Sequence, residues 1–306
     1  MLGGLVAAGA AGLAYAHLET KLFTLRRVSL PVLPPGEPDL RVLHVSDLHL
    51  TPSQQRKIDW VRSLAALEPH LVVDTGDNLA HRDSLGPVLH ALEPLLALPG
   101  AFVMGSNDYY EPRPKNPARY LLPDARVIIR REPDLPGDEL GAAMRDAGWK
   151  DLTNRRDVVV ADGRRLSLVG VDDPHLDRDE FPARAGRPGT DTGADAGDGV
   201  LHLGVSHAPY TRVLDQMHDD GADVILAGHT HGGQLCLPGV GALVTNCDID
   251  RRRAKGLHGW PGPRPDEAGG AGSSWLHVSA GAGTSPYAPV RFACRPEATL
   301  LTFTAR

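Results

Sequence analysis

The sequence predicts an α/β fold in which two sheets pack into a sandwich, and three observations carry that expectation. From residue 40 onward, short Val/Leu-rich runs alternate with helix-period segments in a βαβαβ rhythm. Polar, ligand-type residues are massed directly after those runs, where α/β folds collect their ligands. The middle of the chain then turns to short paired runs joined by tight turns, which points to a second sheet packed on the first.

Residues 40–46 (LRVLHVS) form the first such strand, and Asp47-Leu48-His49 follows it at once. Residues 54–67 place Ile58, Val61, Leu64, Ala65 and Leu67 on one helical stripe that Pro69 closes. The cycle repeats with a strand at 70–74, a polar turn Thr75-Gly76-Asp77-Asn78, a helix at 84–98 and a strand at 101–104 that ends in Gly105-Ser106-Asn107-Asp108. Short strands are expected at 126–129, 158–161 and 166–171, with a hairpin turn at Gly163, and a helix at 138–147. A strand at 200–206 runs into His207, a helix occupies 212–219, and the apolar run Val224-Ile225-Leu226-Ala227 stops at Gly228 and delivers His229 and His231 to a turn. Strands at 275–279, 290–293 and 299–303, the last two antiparallel, complete the domain. The polar, low-complexity stretches 186–199 and 259–273 read as flexible loops inserted in one domain spanning 40–306, because ligand-type residues fall on both sides of the first.

Composition narrows the function classes. At 306 residues the chain can bury one large core, and 34 glycines with 26 prolines imply many loops. A formal charge of -6 offers no basic field for a nucleic-acid backbone, so nucleic acid is not an expected partner. Cys236, Cys247 and Cys294 form neither a zinc spacing nor a paired framework. Residues 1–18 are almost wholly Gly, Ala, Leu and Val, short for a spanning helix and without the positive start of an export signal. Three readings stay open there: a membrane anchor or uncleaved signal, which would place the protein at the membrane or cell envelope, or a flexible end on a cytoplasmic protein. Residues 19–39 read as an extended lead-in to the domain.

The metal-type residues carry the chemistry. Asp47, His49, Asp77, Asn107, His207, His229 and His231 stand immediately after one predicted strand after another. Chance supplies one such coincidence easily, but not a series in chain order. Carboxylate, imidazole and amide oxygen together suit Mn, Fe or Zn, and these seven residues exceed what one ion needs. Two divalent or mixed-valence ions sharing Asp77 as a bridging carboxylate fit the count and leave positions for water and substrate. That arrangement predicts hydrolysis of a phosphoester or phosphoanhydride by a metal-bridging hydroxide, with both ions drawing off the charge that develops on phosphoryl oxygens.

In this order the motifs resemble those of the calcineurin-like metallophosphoesterases: Asp47-Leu48-His49, Gly76-Asp77-Asn78, Gly105-Ser106-Asn107-Asp108, Ser206-His207 and Gly228-His229-Thr230-His231. The resemblance covers residues 40–303 and implies the two-sheet α/β sandwich of that family. It also implies that one ion takes Asp47, His49, Asp77 and His231, and the other Asp77, Asn107, His207 and His229. The longer run Gly228-His229-Thr230-His231-Gly232-Gly233-Gln234 and the tail around Arg291 look like a branch of bacterial membrane and envelope phosphoesterases related to UDP-2,3-diacylglucosamine hydrolases, implying a small-molecule or lipid-linked phosphoester as substrate.

One motif departs from the pattern. Where the family has a ligand Asn followed by a catalytic His, this chain has Asn107 followed by Asp108. Taking Asn107 as ligand is preferred, since an amide oxygen coordinates a hard ion better than a hydroxyl; a second register sets Ser106 in the ligand position and Asn107 in that of the histidine. Asn107, Asp108 and His207 are the candidates for direct participation in catalysis. Either register removes the histidine, and general-acid help typically contributes about 10²–10⁴-fold. The enzyme would therefore favour good leaving groups unless His81 or His175 reaches the site. The competing class is a metal-binding protein with weak or no turnover.

Overall fold

The computed structural model describes residues 2–114, 131–183 and 200–306. Helix α1 (Leu2–Glu19) leads into β1 (Thr24–Leu33) and β2 (Leu40–Val45). The expected rhythm follows: α2 (Gln55–Ser63), β3 (Leu71–Asp74), α3 (Leu85–Leu96), β4 (Gly100–Phe102). A single turn α4 (Ser106–Tyr109), α5 (Gly137–Asp146) and β5 (Lys150–Asp151) precede the hairpin of β6 (Arg155–Ala161) and β7 (Arg164–Gly170). Then come β8 (His202–Ser206), α6 (Thr211–Asp219), β9 (Val224–Ala227), the small hairpin β10 (Cys236–Leu237) and β11 (Gly241–Ala242), β12 (Gly256–Trp260), β13 (Ser274–Val278) and β14 (Glu297–Ala305). The strands form two six-stranded sheets, ordered β1-β14-β2-β3-β4-β5 and β12-β13-β9-β8-β7-β6.

The two-sheet α/β sandwich is thus what the chain adopts, and its strands show why they read as unbroken apolar runs. Alternate residues of each strand face opposite sides. Val42, Val73 and Val103 point into a core shared with Leu168, Leu203, Val224 and Leu226 of the other sheet. Their neighbours Leu43, Val72 and Phe102 pack outward under Ile58 and Val61 of α2, Leu92 and Leu95 of α3, and Leu140 and Met144 of α5. On the far side, Val213, Leu214 and Met217 of α6 cover Ile225 and Leu276. Both faces of each central strand are therefore dry, as parallel sheets require. The parallel strands β2, β3 and β4 on one side and β7, β8 and β9 on the other send their carboxyl ends to the same edge of the sandwich, where the predicted ligands sit.

Several expectations are corrected. The proposed membrane association through residues 1–18 fails: α1 is a helix, yet among the described residues no helix is long and apolar enough to cross a membrane. Its carboxyl end is instead fastened to the body. The Ala16 carbonyl accepts from the Arg291 amide at 2.8 Å. The Tyr15 and Phe292 rings meet edge to face at 5.8 Å, and the buried Glu19 carboxylate accepts from the Ala293 and Cys294 amides at 3.0 and 2.7 Å. The expected membrane or envelope location loses its structural basis with that segment. The extended lead-in contains β1, which pairs in parallel with β14 along nearly its whole length. Residues 290–293 make one isolated bridge, Phe292 to Leu235, rather than a strand, whereas 299–303 lie within β14 and run antiparallel to β2 as expected. The presumed loop from 259 begins inside β12, which pairs with β13. The strand expected at 126–129 and the loop at 186–199 lie outside the described residues.

Replacing Glu19 with Ala would strip the hydrogen bonds from two backbone amides at this junction. The expected loss is about 1–3 kcal/mol, read as a lower urea midpoint; an unchanged midpoint would show that α1 is not fastened there.

Candidate metal centre

Strand-end backbone conformation builds the site. Asp47, His49, Asp77, His229 and His231 all have left-handed φ values, between 41° and 69°. Asp and His tolerate that region better than most side chains, but each such residue still costs on the order of 1–3 kcal/mol and persists only where its surroundings enforce it. Here the loops after β2 and β3 are laced together: the Asp47 amide donates to the Gly76 carbonyl, His49 to Asp77 and Leu50 to Asn78, at 2.8, 2.9 and 2.9 Å. A third loop joins them through Asp108, whose fully buried carboxylate takes the amides of Asp77, Asn78 and Gly105 at 2.8, 2.8 and 2.9 Å. Gly228 lets the β9 turn come down on this pair, since a Cβ there would overlap the Ser46 hydroxyl.

The result is two facing pairs of imidazole nitrogens with a carboxylate between them. His49 Nε2 lies 3.2 Å from His231 Nε2, and His207 Nε2 lies 3.3 Å from His229 Nδ1. Asp77 sends Oδ2 to within 3.4 Å of His49 and Oδ1 to within 3.5 Å of His207. Asp47 Oδ1 is 3.8 Å from His231 Nε2. Asp47, His49 and His231 form one group of convergent donors, and Asp47, Asp77 and His207 a second.

The imidazole tautomers show that these groups fit cations. His207 Nδ1 is 2.7 Å from the Thr75 carbonyl and His229 Nε2 is 3.2 Å from that of Asn246, so in each ring the proton belongs on the nitrogen facing the backbone. His231 Nδ1 lies 3.2 Å from Arg291 Nη2, which can only donate. In the neutral forms of His207 and His229 the opposite nitrogen carries a lone pair turned toward the centre, as a metal-binding histidine requires. Charge agrees. Burial first, then Asp47, Asp108 and Asp173, push the Asp77 carboxyl up to about 8 against the pull of His207. Burial works against protonated His207, but Asp77, Asp173 and Asp47 outweigh it and hold its pKa at about 9. Carboxylates crowded in this way are a site for positive charge.

The remaining sequence candidates divide. Asn107 is present at the rim, with its amide donating to Asp77 Oδ1 at 2.6 Å, but its carboxamide nitrogen bonds the Tyr110 carbonyl at 2.8 Å. The Ser106 hydroxyl lies 3.5 Å from the same Asp77 oxygen. Asp108 is wholly occupied with backbone amides. His81 is half-exposed and caps a short helical turn through the Asp83 amide, away from the centre. His175 does reach it: its ring centroid lies 4.4 Å from that of His229, and Nδ1 is 3.0 Å from the Tyr210 hydroxyl. Beside it the buried Asp173, not singled out as a site residue from sequence, keeps Oδ2 without a hydrogen bond. The signal for Asp173 was available, because Asp172-Asp173-Pro174-His175 follows β7 as the other ligands follow their strands.

Residues 40–233 match the calcineurin-like phosphoesterase family. The chain belongs to that family. With its two groups of convergent donors it is a metal-dependent phosphoester hydrolase of the dinuclear kind. Among calcineurin-like relatives, it is 27% identical over 247 residues to a metallophosphoesterase of Aquifex aeolicus, covering 78% of this chain and 81% of that one. It is 26% identical over 222 residues to YpbG of Bacillus subtilis, covering 72% and 69%. The phosphodiesterase YaeI of Escherichia coli is 29% identical over 162 residues, a match spanning 53% of this chain and half of that protein.

Asp77→Asn should lose both cations rather than one, because each histidine pair faces one of its oxygens. Metal analysis of purified protein would then fall from two ions per chain toward none; retention of one ion would refute the shared carboxylate.

Proposed function

We propose that this enzyme hydrolyses a small-molecule phosphodiester. The observation that carries the reading is Asp77, with one carboxylate oxygen directed toward each pair of imidazoles. A relative described as a phosphodiesterase supports the substrate class. In this reading Asp47, His49, Asp77 and His231 hold one divalent cation, and Asp77, His207 and His229 the other. Bound there, the two ions supply Lewis-acid activation of water and neutralise charge on the phosphoryl oxygens. Ser106 takes the place of the family's ligand Asn, because its hydroxyl faces Asp77 while the Asn107 carboxamide is turned to Tyr110.

The chain's own residues do the rest. Ser106, Asn107, His175, His231 and Asn246 are half-buried, and they border a centre whose other members are buried. Substrate approaches along that rim. Asn107 and Asp108 shape the loop: the first through its amide on Asp77, the second by tying the loops after β3 and β4 together. Asp108 has no oxygen to spare as a proton donor, so it is a positioning residue. His175, held by Tyr210 against His229, stands where an imidazole can serve the leaving oxygen in place of the missing histidine. The locked Asp108 also favours the competing reading, a metal-binding protein with little turnover, which applies if His175 gives no such help.

Hydrolysis of bis(p-nitrophenyl) phosphate with Mn²⁺, abolished by chelation, is the expected result; two bound metals without turnover of any ester in a broad panel would leave only the binding protein. His175→Ala should slow esters with poor leaving groups by about 10²–10⁴-fold and spare activated aryl esters. An equal effect on both would remove His175 from proton transfer.

A further inference from the structure

Among the buried histidines outside the donor groups are His44 and His277. His44 belongs to β2 and His277 to β13, one in each sheet, and they meet across the interior with their Nδ1 atoms 2.9 Å apart. Both are essentially without solvent exposure. Burial, reinforced by His277, holds His44 well below its ordinary pKa. Burial likewise lowers His277 to about 4, outweighing Glu297. Both rings are neutral near pH 7, so each carries a single proton.

From His44 a line of hydroxyls leads outward. His44 Nε2 is 3.0 Å from Thr75 Oγ1, Thr75 Oγ1 donates to Ser46 Oγ at 2.7 Å, and Ser46 Oγ donates to Asp47 Oδ2 at 2.5 Å. The direction of every step is forced by proton count. A carboxylate oxygen can only accept, so the one Ser46 proton is spent on Asp47. Ser46 must then accept from Thr75, whose own proton is thereby used. Thr75 in turn accepts from His44 Nε2–H. Neutral His44 is left with a bare Nδ1, and His277 Nδ1–H supplies it.

We propose that His277, His44, Thr75 and Ser46 form a one-way donor chain that positions Asp47 for the cation it shares with His49, Asp77 and His231. The chain spends its terminal proton on Oδ2 and leaves Oδ1 turned toward His231. Asp47 is common to both groups of convergent donors, so its orientation bears on the whole centre. Because the chain starts on one sheet and ends on the other, the spacing of the sandwich is transmitted to the ligand. None of the four touches the reacting atoms; they are positioning residues. The inference rests on Asp47 as a metal ligand, the assignment made above.

Two measurements on the full chain test it. Mn²⁺ titration of chelator-treated protein should show Thr75→Val weakening binding by about 10–100-fold, the usual effect of losing a partner that orients a ligand. Thr75→Ser, which keeps the hydroxyl, should bind as the unaltered chain does. Should Thr75→Val not fold, Ser46→Ala breaks the adjacent link and is expected to weaken Mn²⁺ binding to the same degree. Nitrogen-15 spectra of the imidazoles should show His44 protonated at Nε2 and His277 at Nδ1. The chain is overturned by full Mn²⁺ affinity in Thr75→Val or Ser46→Ala, by equal weakening in Thr75→Val and Thr75→Ser, or by a His44 proton on Nδ1. Asp47→Asn separates the two claims: undiminished binding of both ions would overturn the ligand assignment itself, whereas loss of metal in that variant beside full affinity in Thr75→Val would overturn only the chain.

Discussion

Asp47 and Asp77 are buried to 0% and 3% exposure within reach of the same imidazoles, and the rest of the site follows from tolerating that. An ionised carboxylate removed from water is costly unless it is paired, hydrogen-bonded or neutralised. Asp108 meets the requirement with backbone amides alone and so becomes structural. Asp77 does not, because its oxygens are divided between two histidine pairs. Its raised pKa and that of His207 are two faces of one charge imbalance. Divalent cations resolve such an imbalance, and phosphoester hydrolysis uses the same cations to absorb charge on substrate.

Rigid surroundings make the arrangement hold. Five ligand-type residues occupy left-handed backbone, a conformation that isolated loops would abandon. The loops do not abandon it because they leave strands packed on both faces, and because they bond one another rather than solvent. The long tail after the family match contributes as well. Arg291, with no solvent exposure, donates to the carbonyls of Ala280, Gly281 and Gly283 and to that of His231, tying the last turn of the domain to the histidine turn. Lys57, buried with its pKa lowered by burial to about 7, holds the Leu48 carbonyl at 2.6 Å from the opposite side.

Where sequence reading succeeded, local pattern and global fold agree. The strands ending at Val45, Asp74, Ala227 and Val278 are largely apolar because helices cover one face and the partner sheet the other. Where it failed, a distant partner decides. The apolar start of the chain has the composition of an anchor, but Glu19 at its end binds amides more than 270 residues away. In Gly105-Ser106-Asn107-Asp108, the Asn107 carboxamide nitrogen is tied to the Tyr110 carbonyl and backbone amides lock Asp108. No local signal distinguishes those outcomes.

Residue types and their order after successive strands determine by themselves that this chain gathers imidazole and carboxylate donors at one edge of an α/β sandwich, because strand-end position follows from chain connectivity. Tertiary structure alone decides which atom each donor presents. The carbonyls of Thr75 and Asn246 choose the tautomers of His207 and His229, and the Ser46 hydroxyl and the His229 amide orient the Asp47 carboxylate. Those choices are made by hydrogen bonds between segments remote in sequence, and a proton's position is settled only when its partner is in place.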